Sequence, residues 1–334
     1  MNKQRILFLD YARLFTAFLV VFAHLYSYES AERLYIYAFH MPLFFIISGF
    51  LHSNKTSNDQ LIKYFRTIVV PILFFIVLGG LFRYIYIPTD LYNLFIRTVI
   101  SIFKGVSIPA HGIIWFLLAL LWAKIIMFIF LKTQKSHSLW AKILIPACGL
   151  LIIFLCYQFK VYPLFLKSGI MAFPLYFLGF YARHLYNNHP IEKTDYSNNK
   201  YFLLLTVFLL FLLSFFLTKI NGRISMHDVN FGSASFPANV FLFYFNGIIG
   251  SMAIMALSLL FKRGNTFITD LANSLISILG FQDLFIVVYS HEFGQNRSLV
   301  FSFVATTLIV LGCFILHKLV MYICPALLGK NNRS

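Results

Sequence analysis

Charged residues are scarce in this chain. Asp, Glu, Lys and Arg make up only 11% of its 334 residues, and 60% of its residues are hydrophobic. A typical soluble domain is roughly one quarter charged. The mean hydropathy of +0.81 points the same way. This shortage of charge excludes an ordinary soluble globular protein.

Cysteines and long polar segments are also few. The four cysteines lie in or beside apolar runs and lack the spacing of metal ligands, so we expect packing residues, no disulfide framework and no metal. There is no internal repeat, and the longest polar gap, about 184–200, is too short for a core of its own. We therefore predict one integral membrane domain over residues 1–334. The cysteines are Cys148, Cys156, Cys313 and Cys324.

What the chain has in excess is apolar runs of about 20 residues, the length that crosses a bilayer as a helix. The sequence therefore predicts an all-α polytopic membrane protein with about ten transmembrane helices. The predicted spans are 6–28, 34–52, 67–87, 112–131, 140–158, 169–186, 200–219, 238–261, 270–291 and 298–323.

The basic residues between these runs predict the topology. A net charge of +16 would suggest nucleic acid for a soluble protein, but here the cations lie in short gaps between spans, so no nucleic acid is expected. With the N-terminus inside, fifteen Lys and Arg fall in inside segments and seven in outside segments. The positive-inside rule then predicts N-in and C-in. The basic start resembles a signal peptide, but no small-residue cleavage site follows, so we expect an uncleaved first helix.

Three ionisable residues interrupt the first predicted span, "RILFLDYARLFTAFLVVFAHLY". At ~100° per residue, Asp10, Arg13 and His24 share one helix face, and Arg13 and His24 are ~16 Å apart along the axis. Such a polar stripe favours a face toward the bundle interior or an aqueous cavity. The simpler alternative is that Asp10 and Arg13 form an i, i+3 ion pair and His24 is an interfacial hydrogen-bonding group.

A second histidine, His40, belongs to the block "FHMPLFFIISGFL" of the second predicted span and is expected at a depth close to that of His24. Two histidines at one depth suggest a general base and its orienting partner. Half of a metal site is the alternative, although no carboxylate or cysteine spacing completes it.

The two blocks together carry a resemblance. Arg13, then ten residues, then His24, followed by "FHMPLFF" and "SGF", resembles the acyltransferase-3 family of membrane O-acyltransferases, in particular the fucose 4-O-acetylase-like or polysaccharide O-acetyltransferase branch. Weaker landmarks are "RTIVVPILFF", "IWFLLALLW", "NGRISMHDVNFG" and "LFYFNGIIG". The resemblance implies transfer of an acyl group, usually acetyl from cytoplasmic acetyl-CoA, to a sugar hydroxyl of a surface polysaccharide or its precursor, in the cytoplasmic membrane of a bacterial cell.

With that resemblance, the residues suggest roles. We expect Arg13, aided by Lys63 and Arg66, to bind the phosphates of CoA, because the guanidinium fork suits phosphate. Lys63 and Arg66 as simple positive-inside anchors remain the alternative. His24 would act as general base, with a transient acetyl-histidine left open.

The supporting roles are less defined. Asp10 would orient Arg13, and His40 would orient His24 or donate to the oxyanion. Contacts to the carbohydrate acceptor are expected from the outer loops, for which we predict Asn221, Arg223, His227, Asp228, His111 and Trp115.

One position departs from the family pattern. Related sequences often have a histidine where this chain has Gln282, which can hydrogen-bond but cannot titrate. The neighbouring Asp283 is expected to be a buried, paired or neutral carboxyl. Two other function classes stay open: a transporter or exporter of a glycan precursor, since ten helices with buried charge fit transport as well, and an assembly partner.

Overall fold

The computed structural model describes residues 5–27, 30–87, 90–106, 108–135, 163–189, 199–221 and 239–330. The regular secondary structure within these ranges is helical, and no strand occurs in them. The helices are α1 (Leu7–His24), α2 (Ala31–Tyr37), α3 (His40–Phe50), α4 (Asn58–Tyr64), α5 (Val70–Tyr86), α6 (Leu91–Lys104), α7 (Ile114–Lys135), α8 (Leu166–Asn188), α9 (Lys200–Ile220), α10 (Val240–Leu259), α11 (Thr266–Asn273), α12 (Leu275–Glu292) and α13 (Leu299–Ile323). A π-helical segment, Phe65–Val69, joins α4 to α5.

Nine helical spans in the described ranges are long and apolar enough to cross a membrane. They coincide with nine of the ten predicted spans, and the remaining one, 140–158, lies outside the described residues. The all-α, multi-pass membrane architecture is thereby confirmed. The orientation in the membrane stays a prediction.

Helix α1, which carries Asp10, Arg13 and His24, lies at the centre of the candidate functional site. It packs against α2, α3, α10, α11, α12 and α13. The helix begins where the Arg5 side chain donates to the Thr269 carbonyl, and just beyond its end the Asn296 N–H donates to the Leu25 carbonyl. We call these two ends of the bundle the Arg5 end and the His24 end.

The third helix is almost completely buried and crosses α8 closely. A Cβ at Gly49 would overlap the carbonyl of Tyr176, and a Cβ at Gly179 would overlap the carbonyl of Ile46. Glycine at both positions therefore permits the backbones to touch, as small residues do in membrane helix packing.

The structure differs in detail from two of the predicted segments. The predicted span 34–52 is two helices, α2 and α3, with a turn at Ala38–Phe39, and Pro42 lacks the N–H that a continuous helix would donate to Ala38. His40 is the first residue of α3, directly after this break.

The predicted outer loop 88–111 contains α6, which Asp90 caps at its start and Gly105, with φ of 68°, ends. At ~21 Å, α6 is too short to span a bilayer, and it exposes Tyr92, Phe95 and Phe103.

Candidate functional site

The hydroxyl of Tyr37 lies at the edge of the His24 ring, 3.4 Å from Nδ1 and 3.5 Å from Nε2. His24 is the last residue of α1 and is partly exposed, whereas Tyr37, the last residue of α2, is buried. The two rings meet edge to face with their centroids 5.9 Å apart. His24 therefore has a positioned hydroxyl beside it, and its side chain is not completely covered by the protein.

A buried arginine holds this tyrosine. Arg33, 3% exposed, donates from Nη2 to the Tyr37 hydroxyl at 2.9 Å and from Nη1 to the Tyr26 carbonyl at 2.9 Å. Arg33 and Tyr37 are four residues apart, which places their side chains on one face of α2. Ser30 caps the same helix by accepting from the Arg33 backbone N–H. The result is a fixed positive charge next to the His24 ring.

His40 belongs to the same cluster but makes a different contact from the one predicted. Its Nδ1 lies 2.8 Å from the Ile36 carbonyl, and its ring packs 4.7 Å from the Tyr37 ring. Tyr37 thus contacts both histidines. The side chain placed to orient His24 is Tyr37, and direct orientation by His40 stays a prediction.

At the Arg5 end, the Asp10 carboxylate is buried between two arginines. Arg5 Nε donates to Asp10 Oδ2, and Arg13 Nη1 lies 3.6 Å from Asp10 Oδ1. Asp10 is 4% exposed, whereas Arg13 is partly exposed. The predicted Asp10–Arg13 contact is present, but Asp10 bonds more closely to Arg5. In the described part of the chain, Arg13 pairs with no carboxylate other than that of Asp10. Its guanidinium therefore retains N–H donors that are available to bind an anion.

The two other predicted phosphate-binding residues, Lys63 and Arg66, are exposed at the Arg5 end. Lys63 lies within electrostatic range of Lys124 on α7 rather than beside Arg13. Lys124 contacts two tyrosines: its Nζ is 3.5 Å from the Tyr176 hydroxyl and 5.3 Å from the centre of the Tyr64 ring. A basic, aromatic-walled cluster therefore lies next to the predicted cytoplasmic gap.

His52 lies inside this cluster, between Tyr176 and Tyr64. Its Nδ1 is 2.6 Å from the Tyr176 hydroxyl, and Nε2 is 3.3 Å from the Tyr64 hydroxyl. Burial, followed by the charges of Lys124 and Arg183, lowers the pKa of His52 to about 3. The ring is therefore neutral near neutral pH, and it serves to connect the two tyrosines.

The predicted acceptor contacts divide into three groups. His111 is buried, with Nε2 2.7 Å from the Gly280 carbonyl, and burial lowers the pKa of its ring despite the opposing effect of Asp283. Asn221 is also buried, and its side-chain oxygen accepts from the Asn239 N–H. Both side chains are held by contacts within the protein, and their role in acceptor binding stays a prediction. Trp115 is partly exposed near the start of α7, and Arg223, His227 and Asp228 lie outside the described residues.

Asp283 is the paired carboxyl that the sequence predicted. Its Oδ2 accepts from Arg83 Nη2 at 2.8 Å, and Arg83 also donates from Nε to the Ala110 carbonyl. The expectation that Asp283 is buried and paired is confirmed. Next to it, Gln282 is 0% exposed.

Two functional candidates, Tyr37 and Arg33, were missed by reasoning on the sequence, and so was Lys124. The i, i+4 spacing of Arg33 and Tyr37 in "RLYIY" is a usable signal, although only the packing of α2 against α1 shows that Tyr37 points at His24. Lys124 interrupts an apolar run as conspicuously as Asp10 does. In the described ranges, no group of three His, Cys, Asp or Glu residues is arranged to hold a metal ion.

Comparison with known proteins gives the chemistry a class. A family model described as an acyltransferase domain matches residues 6–318, which is nearly the whole chain. Searches of the curated proteins and of the solved structures returned no match. The match covers both ends of α1 and every element that contacts His24. The chain therefore belongs to the acyltransferase-3 family and is a multi-pass membrane acyltransferase that transfers acyl groups to hydroxyls.

Proposed function

We propose that this protein transfers an acetyl group from cytoplasmic acetyl-CoA to a hydroxyl of a cell-surface polysaccharide or its precursor. The observation that carries the proposal is the arrangement along α1: Arg13 with open donors toward the Arg5 end, and His24 beside Tyr37 at the other end. The thin pantetheine arm of the donor, lying along ~16 Å of helix, would reach from Arg13 to His24.

In the proposed mechanism, Arg13 binds the phosphates of CoA, with Asp10 holding its guanidinium in place. The exposed cations Lys63 and Arg66, together with Lys124, attract the anionic donor to the same end of the bundle. A donor that enters there matches the N-in topology predicted from the sequence.

At the His24 end, His24 takes the proton of the acceptor hydroxyl while the oxygen attacks the thioester carbonyl. The negative charge that forms on the carbonyl oxygen is stabilised by the Tyr37 hydroxyl and by the fixed charge of Arg33. The carbon–sulfur bond then breaks, and the proton on His24 passes to the departing thiolate. The products are the acetyl ester and CoA.

The first test is transfer of radiolabelled acetyl from acetyl-CoA to glycan by purified protein. We expect His24→Ala and Arg13→Ala to abolish transfer at an unchanged membrane level. His184→Ala and Arg97→Ala are matched controls, because both side chains are exposed and lie outside the cluster. Normal transfer by both site variants would overturn the mechanism, and glycan export without new ester groups would support a transporter instead.

The acceptor is tested separately. Mass spectrometry of the surface polysaccharide, with and without the gene, is expected to differ by one acetyl group per modified sugar. An unchanged polysaccharide would contradict the proposed acceptor class while leaving acyl transfer to hydroxyls intact.

A further inference from the structure

The side chain of Gln282 is buried without a hydrogen-bond partner. It is 0% exposed, and both Nε2 and Oε1 lack a partner within the described residues. Leaving a buried polar group without a partner is destabilising, and here one amide leaves both a donor and an acceptor unmet. Such a group is available to a hydrogen-bonding partner from outside the described part of the protein.

The neighbours of Gln282 on α12 show which way it faces. Asp283 pairs with Arg83 of α5, and the Gly280 carbonyl contacts His111. Phe285 lies against Gly312 of α13. At ~100° per residue, Gln282 lies in the sector between Phe285 and Asp283, ~60° from the first and ~100° from the second. The other helices that pack against α12 are α1 and the short α11, which ends at Asn273, two residues before α12 begins, so we infer that Gln282 faces α1.

The depth of Gln282 matches the lower part of the proposed donor path. Helices α1 and α12 run parallel, since Arg5 bonds to Asn273 at one end and Asn296 bonds to Leu25 at the other. Gln282 is ~14 Å beyond Asn273, and Arg13 is ~12 Å beyond Arg5. Gln282 therefore lies near the level of Arg13, with His24 further along the bundle.

We propose that Gln282 binds an amide of the pantetheine arm of the acyl donor. Pantetheine contains two secondary amides, each with one N–H and one carbonyl, and a primary amide offers the complementary pair. This inference rests on the proposed function, in which the arm runs from Arg13 to His24. It assigns a donor-binding role at the position where the sequence departs from its family.

The test compares two ligands, CoA and 3′-phosphoadenosine 5′-diphosphate, which is CoA without the arm. For Gln282→Met we expect the Kd of CoA to rise about tenfold, the loss of one to two hydrogen bonds, and the Kd of the nucleotide to stay unchanged. The melting temperature should not fall, because the substitution removes an unsatisfied group.

The matched control is Asn246→Leu. The Asn246 amide is also buried, but it accepts from Ser214 and donates to Thr218. Its loss should lower the melting temperature and leave both Kd values unchanged.

Three results would overturn the inference. An unchanged Kd of CoA in Gln282→Met would mean that the amide binds water or nothing. An equal rise for both ligands would mean a general distortion of the site. Wild-type protein that binds the nucleotide and CoA equally would remove any role for the arm. Wild-type protein that binds neither ligand would instead refute the proposed donor, so failure of the function is recognised separately.

Discussion

The Tyr37 hydroxyl is 3.4 Å from Nδ1 of His24, and the same hydroxyl accepts from Arg33. Because Arg33 occupies the acceptor side of the oxygen, the tyrosine proton is available to the histidine or to a reacting oxygen. The last residues of α1 and α2, His24 and Tyr37, thus form a three-membered polar group with Arg33 at one end of the bundle. The group has the parts needed for proton transfer and for stabilising an oxyanion.

Replacing Tyr37 with Phe tests this group. We expect kcat to fall by about 10²-fold, as for removal of one oxyanion donor, with little change in the KM of the acetyl donor. The assay is steady-state acetyl transfer with both substrates varied.

Tyr35→Phe is the matched control for that substitution. Tyr35 lies on the same helix, and its hydroxyl donates to the Phe211 carbonyl away from His24. It should lose stability only, by about 1 kcal/mol. Equal kcat values for wild type and Tyr37→Phe would remove Tyr37 from the chemistry.

Asp10→Asn tests whether Asp10 holds Arg13 or takes part in the reaction. The buried carboxylate balances Arg5 and Arg13, so we expect a lower melting temperature and a donor KM raised about tenfold. The kcat at saturating donor should be nearly unchanged. Donor titration together with thermal unfolding measures all three quantities.

The exposed pair of Asp270 and Lys318 supplies the comparison. Asp270→Asn should change stability by less than about 1 kcal/mol, because exposed ion pairs contribute little. If Asp10→Asn abolished kcat while the donor KM stayed normal, a direct chemical role for Asp10 would replace the orienting one.

Asp283→Asn distinguishes a structural carboxyl from a catalytic acid. The substitution leaves the Arg83 charge, which is only partly exposed, without its partner, and breaking such a pair is strongly destabilising. We expect a clear fall in melting temperature and an unchanged kcat per folded molecule. A loss of kcat in protein that remains folded would contradict this assignment.

Acidification should destabilise the cluster around His52. The folded pKa is about 3, whereas an unfolded histidine titrates near 6.5. Below about pH 6.5 the unfolded chain gains a proton that the folded chain does not, so stability falls as pH falls toward 3. Between about pH 7 and pH 5, the titration of this single group should lower the free energy of unfolding by ~2 kcal/mol.

The measurement is thermal unfolding of wild type and His52→Gln across that range. Glutamine can hydrogen-bond to Tyr176 but does not titrate, so the pH dependence of the variant should be shallower by that amount. Parallel profiles for the two proteins would show that His52 does not carry the effect.

Much of the architecture was readable from the sequence because a bilayer imposes a simple rule. Apolar runs of about 20 residues must form helices to satisfy their backbone, and nine predicted spans are helices in the structure. The angular arithmetic on α1 also placed Asp10 beside Arg13, since positions i and i+3 meet on any helix. Both inferences use only local periodicity.

The sequence by itself determined the class of protein, the path of α1 with Arg13 and His24, and the family. Only the tertiary structure decided that Tyr37, held by Arg33, contacts His24, because the packing of α2 against the end of α1 sets which side chains meet there. It likewise decided that His111 is buried and that Gln282 has no hydrogen-bond partner among the described residues. These facts depend on how helices far apart in the chain pack together, and packing between distant segments leaves no periodic trace in the sequence.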